Sequence, residues 1–439
     1  MLFPFLNTYT ELQDELAKLG CELPMSDNLA LLSEPLTFGQ TKKYMIPNRF
    51  VVQPMEGFDS GPDGEPAELG FRRYERFAAG GAGLIWFEAT AVRADARCNS
   101  QQFWINEKSV NRFAALEEKT RSLAKKQFGH DIISIIQLTH SGRYCKPTRG
   151  QRAPVIAQHS GVLDAAHNIP DDYPMITDDA LDRLQDDYIK AAKLAAKCGF
   201  DGVDIKSCHG YLLNELLGAH TREGKYGGSF ENRTRFLREV IERVRNEVPT
   251  LFVTTRMNAY DGVKYPWGFG ASLEEDKQWD LTEAKQLAAM LHQLGVPLLN
   301  VTIGNPYFNP HYNRPYAKTI RGGTPYNEYP LQGVVRFANI VREMQESLPE
   351  VPMMGAGMGW LRHLVPQVAA GLVQQNWAKL FGFGRNALGY PDMPKDIMTQ
   401  GKMDENKVCL ACSGCTELMR AEMPTGCVLR DREYYRLPE

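Results

Sequence analysis

The feature that most restricts this chain is an alternation. Short apolar runs of strand length are mostly followed by longer stretches with apolar residues at helical spacing. The pattern recurs eight times over about 350 residues. The runs centre near residues 50, 84, 134, 203, 253, 299, 353 and 380. Helices are expected around 74–79, 111–126, 178–198, 231–248, 282–294, 331–346 and 361–371. Asp178 reads as the cap of the third, whose apolar face carries Leu181, Leu184, Tyr188, Ala191 and Ala195. Eight β/α units argue for an α/β fold, a (β/α)8 barrel with long loops. An open doubly wound sheet is the rival. It usually has fewer units and needs a crevice where the strand order reverses.

The barrel is expected over 46–400, behind an N-terminal extension at 1–45 and ahead of a Cys-rich segment at 401–439. In the extension, Thr10 with Gln13 reads as a capping box, Leu12, Leu16 and Leu19 share a face, and Gly20 stops the helix. A formal net charge of -3 and the lack of a long basic run exclude a nucleic-acid footprint. No stretch of about 18 uncharged apolar residues predicts a membrane span. The opening residues MLFPFLNTYTELQDEL lack a basic region and a small-residue cleavage site, so a cytoplasmic protein is expected. A mildly acidic barrel of this kind is compatible with a homo-oligomer.

Active sites of such barrels are built at the C-terminal ends of the strands. The run Val203–Ile205 breaks into Lys206, His209 and Tyr211 within six residues. One His or Tyr at a strand end is more often a satisfied core residue. Three proton-handling groups together point to a site. Gly355-Ala356-Gly357-Met358-Gly359 fails as a dinucleotide fingerprint, because its third Gly is misplaced and its unit is the seventh of the array. Paired with Gly384-Arg385 at the eighth strand end, it reads instead as a phosphate site. Gln137 and Arg256 at other strand ends suggest a phosphorylated heterocycle, with Arg256 placed to stabilise a reduced, anionic flavin. The excursion 144–176 and the loop 305–315, which carries Tyr, His and Arg, are candidate substrate loops. Trp86 and Trp104 read as packing residues.

Nine cysteines fall into two groups. Cys21, Cys98, Cys145, Cys198 and Cys208 are scattered and read as small buried hydrophobes. Cys409, Cys412, Cys415 and Cys427 form C-x2-C-x2-C-x11-C, a density that points to metal. From spacing alone, zinc and an iron–sulfur cluster are comparable.

Taken jointly, several segments resemble the old yellow enzyme family of flavin-dependent barrel oxidoreductases. They are Glu88-Ala89-Thr90, the run Gln137 to Arg143, His209-Gly210-Tyr211-Leu212-Leu213, the run Tyr226 to Arg233, and Gly382-Phe383-Gly384-Arg385. The resemblance implies FMN with its ring near Pro54, Met55, Glu56, Ala89, Gln137 and Arg256, and its phosphate at Gly357, Gly384 and Arg385. It implies hydride transfer from flavin N5 to an activated C=C bond, with Tyr211 as proton donor. Lys206 and His209 would hold the activating oxygen of an enone, enoate or enoyl thioester.

The Cys-rich segment resembles the cluster-binding part of the branch with 2,4-dienoyl-CoA reductase, trimethylamine dehydrogenase and 2-enoate reductases. That implies a [4Fe–4S] cluster on Cys409, Cys412, Cys415 and Cys427. Relatives in this branch continue into nucleotide-binding domains, which this sequence does not show. Electrons would then enter through the cluster from a ferredoxin- or flavodoxin-type protein, or from NAD(P)H at the barrel mouth. Two residues depart from the family's usual pattern. Lys206 stands where a His is usual, and Glu56 where a Cys or Thr is common; Lys206 either binds the substrate oxygen or turns to Glu56 as a structural pair that would balance charge beside the ring. Two other readings stay open: oxidation of an amine, as in trimethylamine dehydrogenase, and a zinc-stabilised barrel without redox chemistry.

Overall fold

The computed structural model describes residues 5–40, 43–274, 278–323, 325–326 and 328–438. The first four residues of the opening segment lie outside the described residues. Eight strands carry the barrel: β1 (Phe50–Val52), β2 (Leu84–Ala91), β3 (Ile133–Thr139), β4 (Gly202–Ile205), β5 (Phe252–Tyr260), β6 (Leu299–Ile303), β7 (Met354–Gly355) and β8 (Leu380–Phe383). Every pairing among them is parallel, in the order β6-β5-β4-β3-β2-β1-β8-β7. A single parallel bridge from Leu299 to Met353 closes the ring between β6 and β7. The barrel expectation holds, and the open sheet is excluded.

The helices follow the predicted faces. Asp178–Lys197 buries Leu181, Leu184, Tyr188, Ala191 and Ala195 against the strands. Phe230–Glu247 buries Phe236, Leu237, Val240, Ile241 and Val244. The caps shift by a residue or two. Thr8, not Thr10, caps the first helix, Tyr9–Lys18, by accepting from Glu11 N–H. Thr177, not Asp178, caps the helix after β3 by accepting from Ala180 N–H. The capping residue must be extended, and Thr8 and Thr177 are, whereas Thr10 and Asp178 already lie within their helices. The 144–176 excursion also contains a short helix, Leu163–His167.

Both flanking segments pack on the barrel. Leu12, Leu16 and Leu32 join the main core cluster. Gly371 has no side chain because its Cβ would lie 2.3 Å from the Pro24 carbonyl oxygen. The Cys-rich segment is tied down at several points. Thr425 N–H donates to Gly57 O at 2.7 Å, Asp431 accepts from Arg72 and Arg76 at 2.7 Å each, and Glu422 pairs with Lys146. No helix among the described residues is long and apolar enough to cross a membrane.

Candidate active site

The C-terminal strand ends and the Cys-rich segment enclose a cavity of 460 Å³. After β4 the chain turns sharply. Ser207 N–H donates to Arg256 O at 3.0 Å, and Gly210 N–H to Asn214 Oδ1 at 2.6 Å. His209 takes φ 67°, a left-handed conformation that costs a non-glycine residue of order 1 kcal/mol. Gly210 is also left-handed, and a Cβ there would lie 2.3 Å from Asn305 Nδ2. This turn brings Lys206, His209 and Tyr211 to the cavity together.

Their surroundings fix their states. Tyr211 donates to Glu56 Oε1 at 3.0 Å. Its single proton is thereby used, so the Tyr307 hydroxyl, 3.1 Å away, is the donor in that contact. Burial, with Cys98 and Glu56 nearby, holds the Tyr211 phenol well above its ordinary pKa, so it stays protonated. Lys206 Nζ lies 3.6 Å from Glu56 Oε1 and 3.7 Å from the centre of the Tyr211 ring. Of the two readings of Lys206, the contact with Glu56 is present in this structure. His209 is held well below its ordinary pKa by burial and then by Arg256, so its ring is neutral. Asn313 Nδ2 is 3.0 Å from His209 Nε2 and 3.3 Å from the Ile303 carbonyl. A carbonyl only accepts, so Nδ2 is a donor, Nε2 accepts from it, and Nδ1 carries the proton.

Opposite lies a set of incompletely satisfied polar groups. Gln137 Nε2 donates to Asp204 Oδ2 at 2.6 Å, and Asp204 also accepts from Trp86 Nε1 and Arg256 N–H. Burial still raises Asp204 to about 6. Asn300 Nδ2 holds Gln53 at 2.8 Å. Arg256 is buried with no ion pair within 4 Å among the described residues, its Nε is unpartnered, and burial lowers its basicity. Buried groups of this kind call for a polar partner. Gly357 (φ 83°) would set a Cβ 2.7 Å from Phe337, and a Cβ on Gly384 would lie 2.9 Å from Met55 Sδ. Backbone is thus bare where Arg385 and Arg314 meet the cavity. Arg314 has no carboxylate partner among the described residues and donates only to Ser413 Oγ, at 3.2 Å. Donors and cations without counter-anions fit a bound phosphate, and the cavity has the size of a cofactor site. The residues present fit FMN.

Cys409, Cys412, Cys415 and Cys427 line a separate void of about 20 Å³ beside Arg385. No three His, Cys, Asp or Glu groups among the described residues are gathered tightly enough for one metal ion. Four thiols lining one void are a donor set suited to a thiolate-bound metal or cluster. Cys409 lines both the void and the main cavity.

The model of the NADH:flavin oxidoreductase / NADH oxidase family matches residues 31–293. The chain belongs to that family. An NADH oxidase of Thermoanaerobacter brockii is 27% identical over 384 residues, covering 86% of this chain and 52% of the relative. Among solved structures, a 2-naphthoyl-CoA reductase aligns with TM-score 0.72 at 19% identity, over 92% of this chain and 57% of that one. Histamine dehydrogenase from Rhizobium sp. 4-9 aligns with TM-score 0.68 at 19% identity, over 91% and 52%. The chain therefore spans about half the length of these relatives.

Pro54, Met55, Glu56, Gln137, Arg256, Gly357, Gly384 and Arg385 all reach the cavity, as expected. Ala89 does not line it. β2 carries a bulge between Phe87 and Ala89, and the Ala89 carbonyl accepts from Gln102 Nε2 at 2.9 Å. The loop after β6 contributes Tyr307, Asn313 and Arg314, whereas His311 turns away to stack on Tyr326. Cys98, read from sequence as a plain buried hydrophobe, lines the cavity 3.9 Å from Glu56, and burial pushes its thiol up to about 12. Tyr144 and Arg420 were not singled out by sequence. Tyr144 ends a single helical turn, Gly142–Tyr144, and Arg420 a short helix, Gly414–Arg420, neither long enough to show a periodicity, although the aromatic and basic content of 144–176 was a signal.

Proposed function

We propose that this barrel is the FMN-binding unit of an ene-reductase acting on α,β-unsaturated carbonyl compounds, enoates or enoyl thioesters. The observation that carries the reading is the Tyr211 hydroxyl. It is a protonated phenol inside the cavity that presents Arg256, Gln137 and the Gly384-Arg385 pair, with Lys206 and His209 on the same turn. FMN, when bound, supplies hydride to the β carbon of the substrate. Lys206, an ammonium, and His209, a neutral imidazole with its proton on Nδ1, hold the carbonyl oxygen as negative charge grows there. Tyr211 turns its proton from Glu56 to the α carbon as general acid. Tyr307, which donates to the Tyr211 oxygen, eases the charge left behind. Lys206 offsets Glu56, so the carboxylate does not oppose negative charge developing nearby.

Cys409, Cys412, Cys415 and Cys427 would hold a [4Fe–4S] cluster that feeds single electrons. A ferredoxin- or flavodoxin-type protein is the proposed donor, with NAD(P)H at the mouth as the other route. Amine oxidation draws support from the grouping of Tyr144, Tyr211 and Tyr307, with Tyr144 and Tyr307 stacked at 3.9 Å. Lys206 and Arg420 share that volume and would repel an ammonium, so ene-reduction ranks first.

The test is anaerobic purification followed by a visible spectrum, with flavin, iron and zinc assays on one sample. Flavin bands, about four irons per chain and reoxidation of the reduced protein by an enone are expected. Zinc without iron would remove the cluster from the reading. Absence of flavin would overturn the assignment of Arg256, Gly357, Gly384 and Arg385 together.

A further inference from the structure

Seven Lys and Arg side chains line the cavity, against two carboxylates. The two carboxylates are taken, since Glu56 faces Lys206 and Glu422 faces Lys146. Arg256, Arg314 and Arg385 lie where the flavin and its phosphate are proposed. Two cations remain, Arg152 and Arg420, and neither has an ion-pair partner among the described residues. Arg152 donates to the His167 carbonyl at 2.6 Å, and Arg420 to the Pro306 carbonyl at 2.9 Å. A carbonyl satisfies an N–H but does not neutralise the charge, and each guanidinium has further N–H groups to offer.

Both side chains are exposed to solvent. They converge on one wall of the cavity mouth. The Arg420 guanidinium carbon lies 4.3 Å over the centre of the Tyr307 ring, and that ring stacks on Tyr144 at 3.9 Å. The His167 ring meets Tyr144 edge-on at 5.1 Å. His167 Nε2 is buried and has no partner. Burial, then Arg152, lowers His167 to about 4, so it is a neutral hydrogen-bonding group. Tyr307 links the two ends of the site: its hydroxyl meets Tyr211, and its ring face lies under Arg420. The reacting end and the cationic wall are therefore about one aromatic ring apart, joined by a flat apolar face.

We propose that the substrate carries, besides its activating carbonyl, a second and remote anionic group held at the mouth by Arg152, Arg420 and His167. This deepens the ene-reductase reading and rests on it: the carbonyl is assigned to Lys206 and His209, which leaves the mouth for another charge. A planar unsaturated segment would lie along Tyr307 between them. The shared chemistry is an anion, supplied either by a carboxylate on the far end of a small acid or by the phosphates of a nucleotide-bearing thioester.

The experiment uses the flavin-loaded protein and two substrate pairs that differ in the remote charge. One pair is benzalacetone and its para-carboxylate; the other is crotonyl-N-acetylcysteamine and crotonyl-CoA. In at least one pair the anionic member is expected to show a kcat/KM roughly tenfold or more higher, mainly through KM, with the advantage shrinking at high salt. Which pair responds tells carboxylate from phosphate. In Arg420→Met and Arg152→Met, shown by flavin content to be folded, the anionic-to-neutral ratio should fall toward one. Equal kcat/KM within both pairs, or ratios untouched by both variants, would overturn the inference while leaving ene-reduction standing. If no pair is reduced, calorimetry with butyryl-CoA and butyryl-N-acetylcysteamine, and with the saturated analogues of the benzalacetone pair, decides. Anion-selective binding lost in the variants keeps the anionic mouth and sinks the reaction; unselective binding sinks the mouth as well.

Discussion

Glu56 follows β1 and Glu88 lies within β2, and they live in opposite surroundings. Glu88 is closed in. It is fully buried, pairs with Arg73, which also holds Asp59, and accepts Gly57 N–H at 2.6 Å. Glu56 is open. It faces the cavity, with Lys206 at 3.6 Å and the Tyr211 hydroxyl at 3.0 Å. The two are linked, because the closed cluster grips the backbone at Gly57, next to the open carboxylate. Saturated charge clusters fix geometry, and unsaturated ones beside them are free to change partners during a reaction.

Several variants would break or sharpen this contrast. Arg73→Leu leaves two buried carboxylates uncompensated and should cost about 3–5 kcal/mol in urea unfolding; a loss under about 1 kcal/mol would make the closed cluster ornamental. Asp204 is an intermediate case, buried and bonded by three donors but paired with no cation. Its pKa is raised, so the folded state holds a proton that the unfolded state releases between 3.8 and about 6. Stability from Asp204 should therefore fall as pH rises through that window, by up to ~3 kcal/mol. The stability difference between wild type and Asp204→Asn, followed from pH 4 to 7, checks the sign.

On the open side, Tyr211→Phe should slow reoxidation of the reduced protein by an enone roughly 10²-fold, the usual worth of a positioned acid. An unchanged rate in stopped-flow would remove Tyr211 as donor. Lys206→Met should lower kcat/KM about tenfold, since one of two groups on the carbonyl oxygen is lost and Glu56 is left unbalanced. Tyr307→Phe should cost only a few-fold in kcat, the worth of one neutral hydrogen bond. A larger loss would make Tyr307 more than a support.

The barrel was legible because the periodicity of its eight strands and outer helices is a repeated signal. The cavity wall was legible because many of its residues sit one or two positions past an apolar run. Gln137, Arg256 and Lys206 were found that way. Ala89 does not line the cavity; a bulge in β2 falls between Phe87 and Ala89, and a bulge leaves no mark on composition. Tyr144, Arg152, His167 and Arg420 were not recognised as one wall because a helical turn, a loop and the ends of two short helices bring them together. Their spacing in sequence carries no information about their meeting in space.

The Cys-rich segment is sewn to the earliest barrel helix. Asp431 accepts from Arg72 across 359 positions of sequence, and Thr425 reaches back to Gly57. During synthesis at about 5–20 residues per second, the helix Glu68–Ala79 would emerge long before its acidic partner. The barrel's hydrogen-bonded ring needs nothing beyond β8, so it can close first. Arg420 and Glu422 arrive last and finish the mouth. A nascent chain would thus close its barrel before the segment that completes the cavity, with Cys409 and the Ser413 that holds Arg314, has emerged.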